Sequence, residues 1–169
     1  MQGFYWLIEG KLAGCPRPGS GRGPDARDEP PDGLGAPTPL DDDLVWLRDR
    51  GIRAVLSLTE TPLDAAAFAR YDFAGLHLPV DDLHAPTPAQ LHYALAFIDQ
   101  QHARDRAVAV HCLMGQGRTG TVLAAHRIRG GSTTDAALRE LRALSPGAIG
   151  STVQEEALRA FARDRDWIV

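Results

Sequence analysis

Residues 107–129, "AVAVHCLMGQGRTGTVLAAHRIR", constrain the fold more than any other part of the chain. Four consecutive apolar residues read as a strand covered on both faces. The stretch from Arg118 reads as a helix that stops at Gly130-Gly131. A strand that runs through a short glycine-laced turn into a helix belongs to a sheet with helices packed on its faces. In such sheets the ligand lies beyond the carboxyl ends of the strands, which is where 111–117 falls.

The rest of the chain extends this pattern. "FYWLI" (4–8) and "KLAG" (11–14) predict a short hairpin around Glu9-Gly10. A helix begins near Leu40, with Asp41, Asp42 and Asp43 at its positive end and Arg48 and Arg50 near its negative end, and Gly51 stops it. "IRAVLSL" (52–58) is a buried strand and "LHLPV" (76–80) a second short one. Thr87-Pro88-Ala89-Gln90 is a capping-box helix start, after which Leu91, Ala94, Leu95 and Ile98 line one face. Two further helices are predicted at about 133–144 and 152–165. The expectation is an α/β fold: a central, mostly parallel sheet of about five strands with helices on both faces. The length of 169 residues suits a single domain, 1–169.

Residues 16–39 are dominated by Pro, Gly and charge and are expected to form a mobile loop insertion. With Arg17, Arg22 and Arg27 against Asp25, Asp28, Glu29 and Asp32, the loop is nearly charge-balanced, so it is no hook for phosphate. It reads either as a rim element touching a peptide or as an inert insertion.

Composition narrows the partners. A net charge of −4 gives no electrostatic footprint for nucleic acid or an anionic membrane. No apolar run approaches the ~20 residues of a membrane span, and residues 1–14 do not read as a signal peptide. Cys15 and Cys112 are too few for a disulfide framework or a four-thiolate zinc site, which points to free thiols in a reducing cytoplasm. His77, His84, His92, His102 and His126 show no ligand spacing, and Asp41–Asp43 are explained by the helix dipole. No metal or cofactor is expected, and the chain is expected to act as a monomer.

The turn itself carries the chemistry. A glycine-bearing loop entering a helix points several backbone N–H groups at one spot, an anion nest. Gly115 and Gly117 let the backbone curl, and Leu113, Met114 and Gln116 complete the phosphate-binding loop. Arg118 adds a planar fork of donors for two oxygens of a tetrahedral oxyanion. Cys112 sits at the mouth of this positive pocket, and the field that binds phosphate also stabilises a thiolate. His111 is placed to order the loop through its ring, and Thr119 to donate a hydroxyl to the departing sulfur. A buried inert cysteine is the commoner fate of a lone Cys. Seven fixed positions in H-C-x-x-G-x-G-R-T-G nevertheless arise by chance on the order of once in a billion starts, at about one in twenty each.

"VHCLMGQGRTG" resembles the signature loop of the cysteine-dependent protein tyrosine phosphatases, and its G-x-G-R-T-G ending resembles the small atypical dual-specificity members. The likeness extends to "WLIEGKLAG", "GIRAVLSLTE", "LPVDDLHAPTPAQL" and "LSPGAIGSTVQEEAL", almost the length of the chain, with 16–39 as a longer loop than compact members carry. The resemblance implies a metal-independent phosphomonoester hydrolase working through a phosphocysteine intermediate. Cys112 is then the nucleophile and Arg118 the oxyanion clamp. Asp82, in "VDDLHAPTP", is the general acid and later the base, with Asp81 as the fallback. Gln154 aligns with a water-positioning glutamine, although Ser151-Thr152-Val153-Gln154 is equally a capping box. The neutral loop positions favour phosphotyrosine in proteins or peptides, with phosphoserine and phosphothreonine alongside it, over phosphoinositide lipids and inositol phosphates. A rhodanese-like sulfurtransferase and a phosphate-binding pseudoenzyme are the competing classes.

Overall fold

The computed structural model describes residues 1–20 and 38–164. Its elements in chain order are β1 (Tyr5–Ile8), β2 (Leu12–Cys15), α1 (Pro39–Asp49), β3 (Ile52–Ser57), α2 (Ala65–Arg70), β4 (Ala74–His77), α3 (Pro88–His102), β5 (Ala107–His111), α4 (Gly117–Arg129), α5 (Thr134–Leu144) and α6 (Thr152–Arg163). The five strands form one sheet in the order β1-β2-β5-β3-β4. Among the described residues only the β1–β2 hairpin is antiparallel; β2 and β3 flank β5 in parallel, and β4 pairs in parallel with β3. The expected α/β architecture is therefore the one observed.

Alternation along each strand divides the core in two. Val108 and Val110 of β5, with Leu12, Ala54 and Leu56, face the cluster filled by α3 to α6. Ala107 and Ala109, with Ala13, Cys15 and Val55, face the cluster filled by Leu44 and Leu47 of α1 and Ala67 of α2. Because β5 is covered on both sides, all five of its residues are buried. This is why the run reads as continuously apolar rather than alternating.

Local signals account for the helix starts. Thr38 caps α1 by accepting from the Asp41 N–H, and the Asp41 carboxylate accepts from the Thr38 N–H, with Pro39 in the first turn. Asp41 is buried and also accepts from Arg70 Nη1 at 2.6 Å, a tertiary role beyond the dipole reading. Thr87 and Gln90 form the expected capping box of α3. Two details depart from expectation. The strand placed at 76–80 is β4 at Ala74–His77; beyond it Leu78 N–H donates to Ser57 O and Val80 N–H to Leu58 O, so the chain still runs beside β3. The short helix α2 has no counterpart among the expected elements, because six residues are too few to show a helical period. Most of the expected loop at 16–39, residues 21–37, lies outside the described residues.

Candidate active site

The carboxyl ends of β2, β3, β4 and β5 lie side by side, and the segments leaving them build one cleft of about 190 Å³. Cys112, Leu113, Met114, Gln116, Gly117 and Arg118 form its floor and near wall, while Asp82, Leu83, Ser151 and Gln154 form the far wall.

The loop's shape is held from beneath. Gly115 adopts φ +73°, a conformation L side chains rarely take, and a Cβ there would come within 2.5 Å of Cys15 O and 2.7 Å of Pro16 N. The loop thus rests directly on the end of β2. Tyr5 Oη donates to Gly115 O at 3.0 Å, its ring crossing β1–β2 over Gly14, where a side chain would collide with it. Burial pushes the Tyr5 phenol above its ordinary value, with the nearby Cys112 and Cys15 adding to the effect, so it stays a donor. His111 is fully buried. Its Nδ1 faces the Cys112 carbonyl at 3.1 Å and must donate to it, so Nε2 accepts from Ser57 Oγ at 2.6 Å. Burial, above all, pushes this imidazole down to about 4. The His111 ring thus ties the Cys112 carbonyl to Ser57.

α4 begins at Gly117 without any side-chain cap, so its first-turn N–H groups face the loop rather than a capping oxygen. Arg118 is 2% exposed. Its Nη1 donates to Val80 O at 2.7 Å and meets Glu60 Oε2 at 3.1 Å, and its Nη2 meets Asp82 Oδ1 at 3.0 Å. Among the described residues Nε has no partner, and neither has the buried Thr119 Oγ1, which makes no bond to Cys112 Sγ. Both donors are left unspent beside the loop.

Asp82, not Asp81, is the carboxylate that reaches Arg118. Its loop is fixed at several points: Asp82 N–H donates to Glu60 Oε1 at 3.0 Å, Ser151 Oγ donates to Leu83 O at 3.0 Å, and Gln154 Nε2 donates to His84 O at 3.1 Å. Leu83 is held at φ +63° with its side chain 72% exposed, a strained residue displayed at the cleft mouth. Gln154 makes only half of the capping box. Its N–H donates to Ser151 Oγ, but its side chain turns away from Ser151 and lies against Gly117, and its buried Oε1 has no partner among the described residues. The capping-box reading therefore does not account for its amide.

Glu60 and Arg17, like Tyr5 and Ser57, are residues of the site that the sequence did not single out. Glu60 joins Arg118 to the Asp82 amide, and its own backbone N–H and Arg118 hold its carboxyl below the usual range. Glu60 stands at the end of the quoted "SLTE", yet nothing in residue type or spacing separates it from a solvated turn carboxylate. Arg17, one of the charges counted in that loop, donates to Thr59 Oγ1, Thr61 O and Pro62 O.

A parallel sheet whose central strand feeds a Cys–x5–Arg nest into a helix defines the architecture of the cysteine-dependent, dual-specificity-like phosphatases. Residues 33–132 match the family "Tc-R-P: Polymorphic toxin system, DSP-PTPase phosphatase", and the chain belongs to that phosphatase family. It is 28% identical over 130 residues to phosphatidylglycerophosphate phosphatase PTPMT2 of Arabidopsis thaliana, covering 74% of this chain and 57% of that one. It is also 28% identical over 147 residues to tyrosine-protein phosphatase cdc-14 of Caenorhabditis elegans, covering 86% and 19%. The chain thus spans about half the length of the first relative and a fifth of the second. Among solved structures, Tk-PTP in its active form is 30% identical with a TM-score of 0.68, covering 73% of this chain and 86% of that one.

Proposed function

We propose that this phosphatase hydrolyses phosphotyrosine, and with it phosphoserine and phosphothreonine, in proteins or peptides through a phosphocysteine intermediate. The observation that carries the reading is the convergence of Cys112, Arg118, Asp82 and Gln154 on one cleft, with Arg118 Nε and Thr119 Oγ1 unspent. Cys112 Sγ attacks phosphorus, forming the S–P bond as the P–O bond to the substrate breaks, and Asp82 delivers a proton to the leaving oxygen. The loop N–H groups and Arg118 hold the three equatorial oxygens as charge shifts onto them. Asp82 then takes a proton from the water that attacks phosphorus, and the S–P bond breaks, aided by Thr119. Gln154 is suited to aim that water: its amide nitrogen is committed to His84 O, so the unspent Oε1 is an acceptor. Two buried free thiols fit a reducing compartment, so we place the reaction in the cytoplasm.

Substrate class is argued from the rim. Among the described residues Arg118 is the only cation lining the cleft, which disfavours polyphosphorylated ligands. Leu83, Leu113 and Met114 are exposed large hydrophobics at its mouth, suited to an apolar or aromatic body behind a single phosphate. A single-phosphate lipid is the second reading, favoured by the same rim and by the relative named for phosphatidylglycerophosphate. Asp82→Ala protein, offered phosphopeptides and vesicles carrying a phosphomonoester lipid, tests the choice. Stable capture of the peptides supports the first reading, and capture of the vesicles alone replaces it with the second.

A further inference from the structure

Glu60 holds Arg118 with one carboxylate oxygen and the Asp82 amide with the other, yet its side chain is half exposed and it lies in no helix or strand. Its own packing cannot fix it there. Inside the turn Thr59 Oγ1 donates to Thr61 O at 2.8 Å, and the other bonds that hold it come from outside. Arg17 Nη1 donates to Thr59 Oγ1 at 2.6 Å and to Thr61 O at 2.8 Å, and Nη2 donates to Pro62 O at 3.0 Å. His77 Nε2 adds a bond to Thr59 O at 2.7 Å. The backbone N–H of Arg17 donates to Leu113 O at 3.0 Å, so the same residue grips the signature loop. Pro16, just before it, lies against Gly115. One side chain and its backbone thereby join the end of β2, the signature loop and the Glu60 turn.

We propose that Arg17 is a positioning residue of the phosphatase reaction, fixing the Thr59–Pro62 turn so that Glu60 holds Arg118 and the Asp82 loop in register with Cys112. The acceptors it reaches are neutral oxygens spread across the turn, an arrangement that a planar fork with several donors satisfies and a lysine point charge does not. Without the Arg17 bonds the turn keeps only the bond within it and the one from His77, and the anchor that Glu60 gives Arg118 and the Asp82 loop is loosened. The inference rests on Arg118 and Asp82 acting as proposed above.

The test is a double-mutant cycle on turnover of a small aryl phosphate, with Arg17→Lys, Glu60→Gln and the pair combined, each checked for Tm. Arg17→Lys keeps the charge and the side-chain stem, so it remains usable if Arg17→Ala does not fold. We expect kcat to fall at least about fivefold in each single variant, and the double variant to lie within about twofold of the worse single one, because both remove the same link. A general loosening of the fold would instead multiply the two losses. Multiplied losses, or wild-type kcat in Arg17→Lys, overturn the proposal. Cys112→Ser run alongside separates the two levels: retained turnover there sinks the proposed chemistry, whereas a dead Cys112→Ser with a fully active Arg17→Lys sinks the role of Arg17 alone.

Discussion

At the scale of single residues, the site is defined by which atoms are already hydrogen-bonded and which are held in reserve. Asp82 Oδ1 lies 3.0 Å from Arg118 Nη2, while the neighbouring Asp81 makes no such contact. Asp82→Asn is therefore expected to lower kcat about a hundredfold for alkyl or poor aryl leaving groups and far less for good ones. Asp81→Asn should leave both nearly unchanged; the reverse result would move the acid by one residue. Gly115→Ala places a methyl group against Cys15 O and Pro16 N at a backbone φ of +73°. It should cost at least about 2 kcal/mol of stability or displace the loop, with activity falling more than tenfold. His111 and His126 are both pushed by burial from 6.5 down to about 4. The unfolded chain thus binds more protons between those values. The stability their neutral forms allow is complete above pH 6.5 and drains as pH falls toward 4. Denaturation midpoints followed with pH should report about two protons taken up on unfolding near pH 5, and a flat profile would contradict the burial of these rings.

At the scale of elements, α6 does more than close the core. Its N-cap Ser151 accepts from Gln154 N–H and donates to Leu83 O, and Gln154 reaches His84 O, so the start of one helix staples the loop that carries Asp82. Ser151→Ala should cost about 1 kcal/mol as a lost cap. It should also depress turnover most for poor leaving groups, the pattern of Asp82→Asn. A loss of stability with unaltered leaving-group dependence would confine Ser151 to capping. The helix itself was legible in the sequence because Val153, Ala157, Leu158 and Phe161 recur at helical spacing, and α3 because Thr87-Pro88-Ala89-Gln90 announces its start. The staple was not legible. It pairs residues about seventy apart in the chain through a backbone carbonyl, which carries no side-chain identity to read. Glu60 and Arg17 escaped for the same reason, since their partners are fixed by the sheet order and not by local pattern.

At the scale of the whole molecule, the strand order places four carboxyl ends along one edge, so that residues from Tyr5 to Gln154 meet around a five-residue interval between Cys112 and Arg118. The α/β class and the location of the site followed from β5 and the turn after it, because a doubly covered strand and a glycine nest each leave a continuous signature in sequence. The order of the strands leaves none, and it alone decides that Cys15 underlies Gly115 and that β3 and β4 deliver Glu60 and Asp82 to Arg118. The central claim is that phosphorus passes through sulfur at Cys112. Rapid acid quench of the wild-type protein during turnover of an aryl phosphate, followed by peptide mass spectrometry, tests it most directly. The account predicts one phosphoryl group on the peptide containing Cys112, absent from Cys112→Ser protein treated in the same way. Turnover with no phosphoryl group on that peptide, or with the group on another residue, would contradict it.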